Sequence, residues 1–352
     1  MKTLQYLIVF TVFTLQFGCI NAQTGEEPGL KSVITLDDCN VIWDSPSKNS
    51  LGSMPAGNGD IGINLWVEEN GDLLFYLSKT DAWSENARLL KIGKIRLALS
   101  PNPFKTGNSF SQELVLKDGV IHIEAGNPEE RVSIDVWVDA NHPVVELDVK
   151  STKKISASVK TEPWRTERRE LKGNELHSAY SLKKRSGSDG IEVPGVFVEK
   201  DSILRNMDDE VIWLHRNDRS VWKDNLKLQG LEKIGDQNKD PLLNRTFGGL
   251  IRSDKLVESD ASEFKTATPI KQFDVSVYAL TAQTKTLDQW TQQIKDLANE
   301  IELLSKEKRL TEHKSWWQSF WDRSYIFVST QNEQEKEKVA NVSRNYNLQR
   351  YM

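Results

Sequence analysis

The sequence predicts a mainly β protein: a large antiparallel sandwich followed by helices. Three observations carry the prediction. Short runs with alternating apolar residues recur from about Val33 to Ala282, the period of half-buried strands. Asn-Gly and Asp-Gly dipeptides fall between such runs, where both central residues of a tight hairpin must tolerate positive φ. At Thr286 the apolar period changes from two to steps of three and four, the stripe of an amphipathic helix.

The first element is an export signal over residues 1–22. Lys2 supplies the positive start, Leu4 to Phe17 the short apolar run, and Ile20-Asn21-Ala22 a small residue before a cleavage point at Gln23. The run is too short for a membrane span, so no transmembrane segment is expected in the mature chain. Gln16-Phe17-Gly18-Cys19 offers a rival, a degenerate lipoprotein site with lipid on Cys19, although an aliphatic residue is expected where Gln16 stands. Both readings give an exported protein, periplasmic or extracellular. Cleavage at Ala22 leaves Cys39 alone, so no internal disulfide can form and the thiol is expected buried and inert.

After a linker over residues 23–32, the sandwich spans residues 33–282. Ile61, Ile63, Leu65 and Val67 alternate, Glu69-Asn70-Gly71-Asp72 turns, and Leu73, Phe75 and Leu77 resume. Lys117-Asp118-Gly119 joins Leu114-Leu116 to Ile121-Ile123, and Asp139 to Pro143 joins Val132–Val138 to Val145–Val149. Later strands are predicted at Gly195–Glu199, Glu210–His215, Phe247–Arg252 and Phe273–Leu280. Lys183 to Gly190 and Gly235 to Asp240 read as surface loops. A helical linker over residues 283–330 opens with the capping pair Thr286 and Gln289, followed by Trp290, Ile294, Leu297, Ile301 and Leu304. A second helix is expected after Thr311, carrying Trp316, Trp317, Phe320 and Trp321, and then the apolar run Tyr325-Ile326-Phe327-Val328. Residues 331–352 read as a further helix with Val339, Val342, Tyr346 and Leu348 on its apolar side and no capping stop before Met352. Such a face must pack against something, either the sandwich or a following domain.

Composition bounds the function. In 352 residues, a net charge of −5 argues against a general nucleic-acid binder. The 11 Trp against 7 Tyr supply flat rings that fill a large core or stack on sugars. His122, His142, His177 and His313 lack metal-ligand spacing, and no phosphate-loop, dinucleotide or nucleophile-elbow motif occurs, so neither metal nor cofactor is expected.

The segment Trp43-Asp44-Ser45-Pro46-Ser47, followed by Met54-Pro55-Ala56-Gly57-Asn58-Gly59-Asp60-Ile61-Gly62, resembles the opening motif of family-95 glycoside hydrolases, the α-L-fucosidase and α-L-galactosidase family. Asn64 to Val67 and Leu77 to Asn86 resemble still more closely a bacterial family of unknown function, number 5703. Lys79 to Asn86 departs from the Asn-Glu-Asp-x-x-Trp-Ser-Gly segment of the fucosidases, which unsettles any transfer of their sugar contacts. Glu162 to Glu167, Trp213 to Asn217, Trp316 to Trp321 and Tyr346 to Tyr351 extend the resemblance through nearly the whole mature chain. It implies a β-super-sandwich, a helical linker and an (α/α)6 barrel that carries the acid and base carboxylates. By that map residues 331–352 are the truncated first helix of the barrel, and no catalytic residue lies in this chain.

The candidate substrate-binding or barrel-facing residues are Asn58 and Asp60 in the glycine turn, the polar-aromatic group Asp81, Trp83 and Glu85, and the sets Trp164-Arg165 and His215-Arg216-Asn217. Carboxylates grip sugar hydroxyls and rings stack on sugar faces; equally, Asp81 and Glu85 can be a solvated pair and the arginines can bond sandwich carboxylates. Trp316, Trp317, Phe320 and Trp321 read as an aromatic wedge between sandwich and barrel rather than a sugar platform. The resulting expectation is the non-catalytic part of an exported glycoside-hydrolase-like protein acting on glycan by inverting hydrolysis. Its partners would be a glycan substrate and the missing barrel. The alternatives are a free-standing carbohydrate-binding or surface-scaffold protein, and a remnant of a broken gene.

Overall fold

The structure, a computed structural model, describes residues 34–105, 108–179, 195–204 and 210–352. The predicted signal, the 23–32 linker and the loop at 183–190 lie outside the described residues. In chain order the strands are β1 Val41–Trp43, β2 Met54–Gly57, β3 Ile61–Val67, β4 Leu73–Trp83, β5 Leu89–Ser100, β6 Ser109–Val115, β7 Val120–Gly126, β8 Val132–Val138, β9 Val144–Thr161, β10 Arg169–Glu170, β11 Phe197–Val198, β12 Ser202–Leu204, β13 Val211–Arg216, β14 Arg245–Arg252, β15 Leu256–Asp260, β16 Glu263–Thr266 and β17 Ile270–Gln283. The helices are α1 Gly173–His177, α2 Trp222–Leu228, α3 Glu232–Gln237, α4 Leu287–Glu302, α5 Lys306–Arg323 and α6 Lys336–Tyr351.

The fold is mainly β and antiparallel, as the alternating runs predict. One sheet runs β1-β6-β7-β8-β9-β17-β14-β13-β12, and a second runs β2-β3-β4-β5-β9-β16-β15. Strand β9 belongs to both: Val145–Ser151 pair with β8, while Ser156–Thr161 pair with β5. Between these stretches Thr152, Lys153 and Lys154 are exposed, where the strand leaves one sheet for the other. The pleat fixes which side chains meet. In the second sheet Ile155, Ala157 and Val159 of β9 and Ile95, Leu97 and Leu99 of β5 point inward, while Ser158, Lys160, Lys94 and Arg96 point out.

The main core fills the space between the sheets. Trp213 is a fully buried peg in it, its indole N–H donating to Ile92 O at 2.7 Å. Gly93 and Gly249 flank the ring, and a methyl on either would overlap it. A second core forms on the far face of the first sheet, where Trp290, Ile294, Ala298 and Ile301 of α4 cover Val144, Ile212, Leu214, Leu250 and Tyr278. Burial of each large side chain in that stripe contributes about 1.5–3 kcal/mol. The central strands, covered on both faces, therefore read as continuous apolar runs such as Val211–Leu214. The capping box of α4 is formed, with Thr286 Oγ1 accepting from Gln289 N and Gln289 Oε1 from the Thr286 backbone.

Three readings of the sequence are corrected. Gly235 to Gln237 belong to α3 rather than a loop. Helix α5 starts at Lys306, capped by the Ser305 hydroxyl, and not after Thr311. Its first turns hide from apolar periodicity because their inward residue is Arg309, only 3% exposed, bonded to Glu146 at 2.7 Å and lying 3.4 Å from Asp139. Finally, α6 turns Ser343 and Asn347 inward while Val342 and Tyr346 stay exposed. These polar side chains serve the extended segment 324–330: Val328 N donates to Ser343 Oγ at 2.8 Å, and Asn347 Nδ2 donates to Ile326 O at 3.1 Å. Leu348 does pack against the main core as predicted, and Tyr351 stacks on Trp317 at 5.1 Å, while hydrogen bonding to bare backbone sets the rest of the inward side. Among the described residues, no helix is long and apolar enough to cross a membrane.

Candidate functional site

The Gly57-Asn58-Gly59-Asp60 turn between β2 and β3 is built from its own side chains. Gly59 takes φ +88°, a conformation glycine adopts without a Cβ penalty. Asn58 Oδ1 accepts from the N–H groups of Asp60 and Ile61, both at 2.9 Å. Its amide donates to Asp139 O at 2.8 Å and His142 O at 3.0 Å, tying the turn to the β8–β9 connection. Asp60, in turn, accepts from Lys79 Nζ at 2.6 Å, and the same ammonium lies 3.1 Å from Asp81. Lys79 is nearly buried, while both carboxylates stay almost half exposed.

This turn forms one wall of a groove of about 630 Å³. Gly62, Asn64, Ser78 and Thr80 form its sheet side, and Trp316, Phe320, Arg350 and Tyr351 its helical side. Trp316 and Phe320 stack at 5.5 Å with an 11° interplanar angle. Arg350 lies 4.2 Å from the Phe320 ring and donates to Phe320 O at 2.6 Å. The wall is fixed from behind by α5. Arg309, His313, Trp317 and Trp321 recur every fourth residue and are all buried against the sandwich. His313 Nδ1 accepts from Ala140 N at 3.2 Å, and the Trp321 indole donates to Leu116 O at 2.9 Å. The tryptophan segment thus divides in two. Trp317 and Trp321 complete the core, whereas Trp316 and Phe320 are half-buried and face the groove.

A second constellation is sealed inside. Glu85 and Asp201 grip His215 from opposite sides, Nε2 to Glu85 at 3.0 Å and Nδ1 to Asp201 at 3.0 Å. Arg165 Nε donates to the same Asp201 oxygen at 2.8 Å. None of these four side chains is more than 6% exposed. Burial alone would raise the Glu85 carboxyl, but the hydrogen bond and charge of His215 outweigh it and hold it below its ordinary value. For His215 burial pulls downward, and the Asp201 and Glu85 contacts prevail to raise it. Asn86 supports the group by donating to Glu85 Oε1 at 2.8 Å.

The sequence-predicted residues therefore separate. Asn58 and Asp60 line the groove, and Asp81 stands beside it on Lys79. Glu85 does not join Asp81 and Trp83. It lies past the end of β4, where the chain turns with Ala87 at φ +52°, and its side chain goes inward to His215 and the neighbourhood of Arg165. Arg216 bonds the carbonyls of Asn244, Thr284 and Lys285, closing the start of α4 onto the sandwich. Asn217 is buried and donates to Trp83 O and Leu242 O. Trp164 is 44% exposed on the outer face of the second sheet. Sequence reasoning missed Asp201 and Arg350, which meet partners from other elements, and Lys79, which bridges Asp60 and Asp81 from the adjoining strand. Among the described residues, no group of three or more His, Cys, Asp or Glu is placed to hold a metal ion. What the groove offers is a carboxylate, an ammonium, a guanidinium and two stacked rings.

No curated protein matches the chain. Among solved structures, "Putative kojibiose phosphorylase from human microbiome" aligns with 8% identity and a TM-score of 0.48, covering 89% of this chain and 41% of its own. A bacterial glucoamylase complexed with acarbose aligns with 9% identity and a TM-score of 0.31, covering 80% of this chain and 40% of its own. The chain thus spans less than half the length of either structure. Its family is shown by a match over most of its length: through residues 42–326 the chain belongs to the family described as Domain of unknown function (DUF5703).

Proposed function

We propose that this chain is the non-catalytic, pocket-supporting part of an exported glycoside-hydrolase-like protein related to family 95, and that its groove holds glycan. One observation carries the reading: the Gly-Asn-Gly-Asp turn and the stacked Trp316–Phe320 pair converge on a single groove with Asp60, Lys79 and Arg350 around it. Aromatic faces beside fixed charged donors and acceptors suit a sugar, whose ring has apolar faces and a rim of hydroxyls. The acid and base carboxylates of an inverting mechanism would come from an (α/α)6 barrel seated over this groove. The chain's own contribution is then to orient the substrate and exclude water, while the sealed Glu85–His215–Asp201–Arg165 group keeps the sandwich rigid beneath it.

The test is glycan binding and reducing-sugar release by the purified chain, with Trp316→Ala and Asp60→Asn alongside. Binding without hydrolysis is expected, weakened about tenfold or more by Trp316→Ala, the loss of roughly one stacking contact. Binding indifferent to both substitutions would remove the groove from the account. Hydrolysis that disappears on changing the half-exposed Asp81, in a variant that keeps its thermal midpoint, would show that the chain itself is the enzyme.

A further inference from the structure

The face of the sheet that lines the groove does not end at Ser78. Cross-strand register pairs Gly62 with Ser78 and Asn64 with Tyr76, so the sheet residues that line the groove continue along the same face to the Tyr76 ring. Tyr76 lies two positions from Ser78 along β4, about 6.7 Å away. Its ring meets Trp66 at 5.0 Å and Trp164 edge-on at 5.7 Å, and Lys91, the cross-strand partner of Ser78, sits 4.6 Å over it. Trp66 is covered, whereas Trp164 is 44% exposed.

An exposed tryptophan held rigidly is unlike an incidental surface ring. The next residue, Arg165, is locked by Asp201 at 2.8 Å and by Lys91 O at 3.1 Å, with its guanidinium 5.4 Å from the Trp164 ring. The sealed charge network thus fixes the outer ring from behind. Around it Arg96 is held by Asp72 at 2.7 Å and Glu162 at 2.6 Å, and Lys94 by Glu162 at 2.7 Å, while Lys91 lies over the Tyr76 ring rather than on a carboxylate. A face with rings, amide, hydroxyl and paired charges favours a neutral ligand over an acidic or basic one.

We infer that the outer face of the second sheet is a track that carries a neutral glycan chain out of the groove, past Asn64 and Ser78, to a Tyr76–Trp164 platform. The ligand is therefore an oligosaccharide longer than a single ring. This rests on the reading of the groove as a glycan site. Calorimetric titration of the whole chain with gluco-, galacto-, manno- and xylo-oligosaccharides, from monosaccharide to hexasaccharide, tests it. For the type that binds, affinity rises about tenfold or more between disaccharide and hexasaccharide, the free energy of roughly one added aromatic contact. Trp164→Ala removes that gain and leaves disaccharide affinity and thermal midpoint unchanged; Tyr76→Ala also removes it but lowers the thermal midpoint, because its ring packs on Trp66, whereas Trp316→Ala weakens every length. Length-independent binding by the unsubstituted chain, or a gain that survives Trp164→Ala, overturns the track. Absence of binding at every length instead overturns the glycan reading of the groove.

Discussion

Replacing Glu85 with Gln tests the physical account most directly, because the substitution keeps the shape and deletes one charge. With His215 protonated, Glu85, His215, Asp201 and Arg165 alternate in sign along contacts of 3.0, 3.0 and 2.8 Å, and the sealed group carries no net charge. Removing Glu85 leaves an imidazolium with one partner fewer in a site that water does not reach. Breaking a buried pair in this way costs about 3–5 kcal/mol. A carboxamide oxygen can accept from His215 or from Asn86 Nδ2 but not both, and in either orientation its NH2 faces the other donor. The sign of the pH dependence follows from both groups. The raised His215 contributes stability that is fully present below its unfolded value of 6.5 and is lost as pH rises through its folded pKa. The lowered Glu85 contributes stability present above its unfolded value of 4.5 and lost as pH falls. Urea midpoints measured across the pH range should therefore peak between those losses in the unsubstituted chain. In Glu85→Gln the peak should be lower and the loss above pH 6.5 weaker. The double variant Glu85→Gln, His215→Gln should cost less than the two singles together by about 1–3 kcal/mol. A single-variant cost below about 1 kcal/mol, the range of solvated pairs, with an unchanged alkaline slope would refute the reasoning.

Two further outcomes are expected. Burial pushes the Glu146 carboxyl up to about 7 despite Arg309 beside it, so the fold favours its protonated form. Stability should fall as pH rises from 4.5 towards 7, and Glu146→Gln should flatten that slope in the same urea series. Gly249→Ala places a methyl in the space of the Trp213 ring and should cost about 1–3 kcal/mol, read as a lower thermal midpoint with a red-shifted tryptophan emission.

The parts legible in the sequence were those governed by neighbours in the chain. The turns at Gly71 and Gly119 take φ of +93° and +63°, and the capping box of α4 needs only four consecutive residues. The Gly-Asn-Gly turn was legible for the same reason, since Asn58 bonds the backbone two and three residues on. Where distant parts meet, periodicity fell silent. Glu85 and His215 are 130 positions apart, and a strand that ends at Trp83 gives no sign that the next carboxylate swings inward. Arg309 reads as a solvent-facing charge until Glu146 and Asp139 are seen beneath it. In α6, Val342 and Tyr346 spell an apolar side that the chain leaves exposed because Ser343 and Asn347 have backbone to satisfy.

Strand β17 lies between β9 and β14, both of which precede it in the chain. During synthesis the first sheet therefore waits with an open slot. From Thr161, the end of β9, to Ile270, the start of β17, is a little over 100 residues. At about 5–20 residues per second that wait is on the order of ten seconds. Throughout it β9 presents an unpaired edge of the kind that recruits other strands, and β14 adds a second one only shortly before β17 is made. Arrest on the ribosome before Gln283 should give an aggregation-prone chain, and release past it a closed first sheet, so the closing of that sheet should track the emergence of β17.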